Sequence, residues 1–128
     1  MIDIINQDEI AAYLEENNLT AEKTESGIHY IIEAAGSEEK PTINDTVTCH
    51  YKGYFINGNK FDSSYDRGRP ASFPLKQVIQ GWQEGIPLFG KGGKGTLIIP
   101  SRLAYGSNPP GGLPPDAVMI FDIELISF

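Results

Sequence analysis

The chain has 128 residues, 40% of them hydrophobic and 21% charged, and a formal net charge of -7. That length suits one domain able to bury roughly two-thirds of its unfolded surface, and the acidic balance argues against nucleic acid or an anionic membrane as the main partner. No apolar run approaches the ~20 residues that span a bilayer, and the lone cysteine, Cys49, cannot form an internal disulfide. With no basic or signal-like start either, a cytoplasmic location is expected, or a periplasmic one should a leader precede this sequence.

The first element in chain order is a helix. Asn6 is placed to cap it, Glu9 follows three residues later as the partner in a capping box, and Ile5 and Ile10 sit at hydrophobic-staple positions. Ile10, Tyr13 and Leu14 share one face, for which packing within the chain is the simplest cover, and Asn17-Asn18 ends the helix. Residues 1–26 therefore form a helix and linker, too short to own a core, ahead of a domain over residues 27–128.

From Gly27 the period changes to two. Ile28, Tyr30 and Ile32 alternate with polar neighbours, and after a turn at residues 41–45, Val47, Cys49 and Tyr51 do the same, which puts Cys49 in the core. Asn57-Gly58 marks a two-residue hairpin with positive φ at both positions. Val78, Ile79, Trp82 and Ile86 recur at helical spacing, so residues 76–88 contain one short helix, with Gly81 and Gly85 allowing close packing. Residues 95–99 form a strand, residues 105–115 a Gly/Pro-rich loop, and the last strand shows Met119, Phe121, Ile123 and Leu125 on one face. About five antiparallel strands curved around one short helix, plus the N-terminal helix, make an α+β fold.

Most catalytic patterns fail on inspection. The segment from Gly85 to Gly92 nearly spells a phosphate loop, but lacks the Ser or Thr that would hold magnesium and follows a helix rather than a strand. His29 and His50 fall on the polar sides of separate strands without ligand spacing, as surface residues rather than a metal site. No nucleophile–base set is suggested. What remains is a distributed group of aromatics, Tyr51, Phe61, Phe73, Trp82, Tyr105 and Phe121, which taken one at a time read as core filling.

Their local sequences say more. Val47-Thr-Cys-His-Tyr51-Lys-Gly53, Lys60-Phe61-Asp62-Ser-Ser64, Val78-Ile79-Gln-Gly81-Trp82-Gln-Glu84-Gly85, Leu103-Ala-Tyr105-Gly106, Pro114-Pro115 and Val118-Met-Ile-Phe121-Asp122-Ile-Glu124-Leu125 occur in this order. Together these six blocks, over residues 27–128, closely resemble the FK506-binding protein family of peptidyl-prolyl cis-trans isomerases. The resemblance implies a pocket between sheet and helix, with Trp82 as its floor and Tyr51, Phe61, Phe73 and Phe121 as its walls. It also implies that Val78 and Ile79 precede the floor with the Ile79 N–H facing a ligand carbonyl, that the Tyr105 hydroxyl reaches the substrate backbone, and that Asp62 faces the reacting carbonyl with Arg67 paired to it.

By the same resemblance no cofactor or metal is needed, and the partners are proline-containing polypeptides and macrolides such as FK506 or rapamycin, bound by a monomer. Three departures affect the rim: Ala71 stands where many members have an aromatic, and the loop ahead of Leu113 is about one residue short and carries Gly112 in place of a bulky aliphatic. The expected function is rotation of X-Pro bonds in support of protein folding; the alternative is a peptide- or partner-binding module with little turnover.

Overall fold

The computed structural model describes residues 2–128. Seven strands form one antiparallel sheet: β1 (Glu22–Lys23), β2 (His29–Ala34), β3 (Thr46–Phe55), β4 (Lys60–Ser63), β5 (Ala71–Pro74), β6 (Lys94–Ile99) and β7 (Met119–Ser127). Their order is β1-β2-β6-β7-β3-β4, with β5 also paired to β3. The two strands beyond the expected five are the two-residue β1 and the short β5, whose sequences show little alternation.

The long strand β3 organises the site. One of its edges pairs with β7 along its length, while the other is shared: β5 takes the half around residues 46–49 and β4 the half around residues 52–54. Residues 64–70 are thereby looped out between the two short strands. The Asn57-Gly58 hairpin is present in altered form. Only Gly58 has positive φ (+90°), and its N–H donates to the Phe55 carbonyl at 2.8 Å, a turn followed by a left-handed glycine rather than a two-residue loop.

Helix α2 (Gln80–Gly85) lies on the concave face, flanked by 3₁₀ turns at Leu75–Gln77 and Ile86–Leu88. It packs unusually close to β6. A Cβ added at Gly81 would stand 2.5 Å from Ile99 Cγ2, and one at Gly85 2.5 Å from Leu97 Cδ1, so any larger residue at either position would have to displace the facing side chain. The main core fills the space between: Val47, Cys49, Tyr51, Trp82, Ile86, Leu97, Ile99, Phe121 and Ile123 are among its buried members.

Helix α1 (Ile2–Glu16) covers part of the opposite face. Ile10 is fully buried against Ile98, Val118 and Ile120, with Tyr13 and Leu14 packed beside them, so the helix finds its cover within the chain. Its start differs from expectation. The helix begins at Ile2, not after Asn6, and Ile5 is exposed rather than stapled. Asn6 lies inside the helix and is buried, because its amide is used by residues far along the chain instead of by the helix terminus. The helix ends as expected, with Asn18 in the left-handed region at φ 55°. No helix among the described residues is long and apolar enough to cross a membrane.

Candidate active site

A cavity of about 300 Å³ opens between α2 and the concave sheet, lined by Tyr51, Phe61, Asp62, Phe73, Gln77, Val78, Ile79, Trp82, Tyr105 and Phe121. Nine of these ten were picked out in the sequence. Trp82, in the first turn of α2, stands edge-on to three rings: Tyr51 at 5.1 Å between centroids, Phe121 at 5.3 Å and Phe73 at 5.5 Å. Such pairs each add about 0.5–1.5 kcal/mol beyond area burial, so the indole is gripped from several sides. Phe61 meets Phe121 edge-on at 5.6 Å and extends the wall. The Trp82 Nε1 donor is buried and has no partner among the described residues.

The polar groups of the cavity fall into two sets. In the first, the Tyr51 hydroxyl donates to Asp62 Oδ2 at 2.6 Å. Arg67 Nη1 donates to Asp62 Oδ1 at 2.7 Å and Nη2 to the Tyr51 hydroxyl at 2.8 Å. The Ser63 N–H completes the set, donating to Asp62 Oδ1 at 2.9 Å. Burial of Asp62 pushes its pKa upward, but the bonds from Tyr51 and Arg67 outweigh that and hold the carboxyl below its usual range. Tyr51 moves the other way: burial, then the bond to Asp62, raise its phenol above the ordinary value.

Arg67 is brought to this pair by the looped-out segment, whose anchor is Ser64. The Ser64 side chain is fully buried and accepts the Tyr51 N–H at 2.7 Å, while its carbonyl accepts the Arg67 N–H at 3.2 Å. His50 Nδ1 lies 2.8 Å from the same hydroxyl, and its ring stacks on Tyr65 with centroids 4.4 Å apart. His50 is therefore a bonded, half-covered residue rather than a free surface one. So is His29, whose Nε2 is 2.9 Å from Gln7 Oε1 and whose pKa is lowered by burial and by Lys23.

The second set is open. Ile79 precedes α2 with φ -56° and ψ 150°, and its N–H makes no hydrogen bond among the described residues. The preceding carbonyl, of Val78, accepts from Gln83 Nε2 at 2.8 Å, which steadies the segment carrying that free N–H. Tyr105 lines the cavity, is 39% exposed, and its hydroxyl likewise has no partner among the described residues.

The remaining candidates sit around this centre. Ala71 and Leu113 are partly buried against the core, and Gly112 is exposed at φ +87°; none of the three lines the cavity. Arg67 reaches it only through Asp62 and Tyr51. Gln77 and Gln83 were missed. Neither belongs to an aromatic or charged pattern, and their roles come from the turn before α2, which spacing alone does not fix.

The geometry has counterparts among known proteins. A family model described as FKBP-type peptidyl-prolyl cis-trans isomerase matches residues 37–126. The isomerase FkpA of Aeromonas hydrophila is 50% identical over 104 residues, 81% of this chain and 39% of the relative. The isomerase Mip of Coxiella burnetii is 47% identical over 103 residues, 80% of this chain and 45% of the relative. The crystal structure of FkpA from Escherichia coli superposes with a TM-score of 0.87 at 40% identity, covering 98% of this chain and 60% of that one. A peptidyl-prolyl isomerase from Pseudomonas syringae gives 0.85 at 29% identity, covering 98% and 92%. The chain thus spans less than half the length of these curated relatives. The cytoplasmic location expected from the N-terminus finds no support in them.

Proposed function

Since the chain belongs to the FKBP-type peptidyl-prolyl cis-trans isomerase family, we propose that it rotates X-Pro peptide bonds between cis and trans in the cavity floored by Trp82. The observation that carries this is the cavity itself: an apolar aromatic bowl with three unspent donors, the Ile79 N–H, the Tyr105 hydroxyl and Trp82 Nε1, beside a carboxylate whose oxygens are already bonded. Bond rotation needs such an inventory. The barrier of ~18–20 kcal/mol arises from amide resonance, which places partial negative charge on oxygen.

In water that planar, polar form is well solvated. A dry aromatic wall withholds the solvation and so favours the twisted state, in which resonance is lost, over the planar one. Proline packs on Trp82 between Tyr51, Phe73 and Phe121. The Ile79 N–H and the Tyr105 hydroxyl hold carbonyls on either side of the rotating bond, so that one end is fixed while the other turns. Asp62 is a fixed charge facing the reacting carbonyl, where it disfavours the resonance form with negative oxygen. It moves no proton, because both its oxygens are engaged and no proton need move.

The substrates are proline-containing polypeptides, for which isomerisation is a slow folding step, and the same cavity takes FK506 or rapamycin. On this reading the isomerase acts as a monomer. Two-dimensional exchange NMR on a short Leu-Pro or Phe-Pro peptide tests the reading. Catalytic amounts of protein should accelerate cis–trans exchange, and FK506 should suppress the acceleration. An unchanged exchange rate would replace the isomerase with a peptide-binding module.

A further inference from the structure

We propose that Asn6, on the N-terminal helix and outside the residues matched by the family model, is a positioning residue for the isomerase pocket: it locks both ends of the loop that carries Tyr105. The inference rests on the isomerase reading above and adds a part of the chain that has no place in the pocket.

Asn6 spends its whole hydrogen-bonding capacity. Its Oδ1 accepts the Ser101 N–H at 2.9 Å and the Ser101 hydroxyl at 2.5 Å, and its Nδ2 donates to the Asp116 carbonyl at 3.1 Å and to Glu9 Oε1 at 3.1 Å. Ser101 and Asp116 are the two feet of the loop between β6 and β7. Inside it, the Ser101 carbonyl accepts the Gly106 N–H at 2.8 Å, and the Gly106 carbonyl accepts the Asp116 N–H at 2.9 Å. Asn6 therefore closes a ring of hydrogen bonds that runs through Ser101, Gly106 and Asp116 and back to itself. Tyr105 is held next to Gly106 in that ring.

The other ties of the loop lie at its flanks and foot: Leu103 is buried in the core, Leu113 packs against it, and the Ser107 hydroxyl donates to Asp116 Oδ1 at 2.5 Å. Asp116 is a non-glycine residue at φ 58°, a conformation that needs outside support, and residues 105–112 contribute nothing to the fully buried core. The helix, by contrast, is firmly seated. Ile10 is buried against the sheet, Asp3 pairs with Arg102 at 3.0 Å, Arg102 Nη2 donates to the Ser26 carbonyl, and Gln7 Nε2 donates to the Gly27 carbonyl at 3.0 Å. A rigid helix thus fixes the loop, and the loop fixes the hydroxyl that meets the substrate.

Asn6→Ala opens the ring. Amide hydrogen exchange at Gly106 and Asp116 of the full chain without ligand should quicken, while exchange in β3 and β7 stays as it was. In the peptide exchange assay kcat should fall by roughly tenfold, with KM shifted less than twofold, as expected when a group acting in the twisted state is misplaced. In a Tyr105→Phe background Asn6→Ala should then cost almost nothing more, because the residue acts through Tyr105. Ile4→Ala, at an exposed position of the same helix that neither seats it nor touches the ring, should leave kcat unchanged.

If Asn6→Ala does not fold, Ser101→Ala removes only the hydroxyl that donates to Asn6 Oδ1, and the same exchange and kcat changes are expected in weaker form. Unaltered exchange at Gly106 and Asp116, or an equal fall of kcat with and without the Tyr105 hydroxyl, overturns the proposal. Exchange is read without substrate, so a wild-type chain that fails to turn over peptide would sink the isomerase reading and leave the ring to be judged by exchange alone.

Discussion

The Tyr51 hydroxyl donates a hydrogen bond to Asp62 and at the same time accepts one from Arg67, at 2.6 and 2.8 Å. Asp62 is held ionised by the other two, while burial and the bond to Asp62 keep the Tyr51 phenol protonated against the opposite pull of Arg67. The cavity therefore carries a fixed charge pattern rather than a titrating one.

The pH profile follows. With the Asp62 carboxyl held below its usual range and the Tyr51 phenol above its own, neither group changes charge between about pH 5 and 9, given ordinary values of about 3.9 and 10. kcat/KM measured by peptide exchange should be flat over that window. In acid the sign is that of a depressed carboxylate: its contribution to stability is complete above the unfolded value and is lost as pH falls through the folded one. Arg67 and Asp62 are both about half exposed, so this contribution is small. An inflection near neutral pH would contradict the assignment of Asp62 as a static charge.

Tyr105→Phe separates chemistry from folding. The hydroxyl has no partner within the described residues and the ring is substantially exposed, so thermal stability should stay within about 0.5 kcal/mol of wild type. Turnover should drop all the same. A variant as active as the parent would show that pocket shape suffices without this donor.

Trp82 is the single tryptophan of the chain and stands at the cavity floor. Its emission should change when FK506 or a Leu-Pro peptide enters, and a titration should give the affinity directly. Replacing it with leucine should remove the signal and, by opening a void among three rings, cost about 2–4 kcal/mol of stability by denaturant titration.

Gly81→Ala should destabilise by about 1–3 kcal/mol, the usual cost of overpacking, since the new methyl meets Ile99. Combining it with Ile99→Ala should recover part of that loss in a double-mutant cycle. Strict additivity would mean that the helix shifts instead of the side chain.

Cys49 is fully buried, and burial pushes its thiol up to about 12. A thiol-reactive dye should label it at the rate of unfolding and no faster. Rapid labelling of the native protein would place an opening motion in β3.

The sequence was most legible where a residue's partners are dictated by local pattern. Trp82 and Ile86 fall at helical spacing, and Tyr51 and Cys49 alternate along one strand, so period alone put them on the inner face; Val78 and Ile79, expected in the same helix, stand in extended backbone just before it. Legibility failed where a side chain is claimed from afar. Asn6 and Glu9 have the spacing of a capping box, and the two do touch, but Ser101, 95 residues away, takes the Asn6 oxygen that a cap would have used. His50 stands on the polar face of β3 as predicted, yet Ser64 turns it into a bonded residue. Strand count suffered for a related reason: β1 and β5 exist because β2 and β3 offer them an edge, and too few residues are involved for a pattern to form.

That same division of β3 between two short partners bears on behaviour at high concentration. The long strands β3, β6 and β7 are all interior to the sheet, and what is left open is short: β4 and β5 run four residues each, and β2 is free of β1 only over residues 31–34. Short, interrupted edges are poor templates for another extended chain. On the proposed isomerase reading, unfolded polypeptides would be held by their prolines without being offered this chain's own backbone as the next strand.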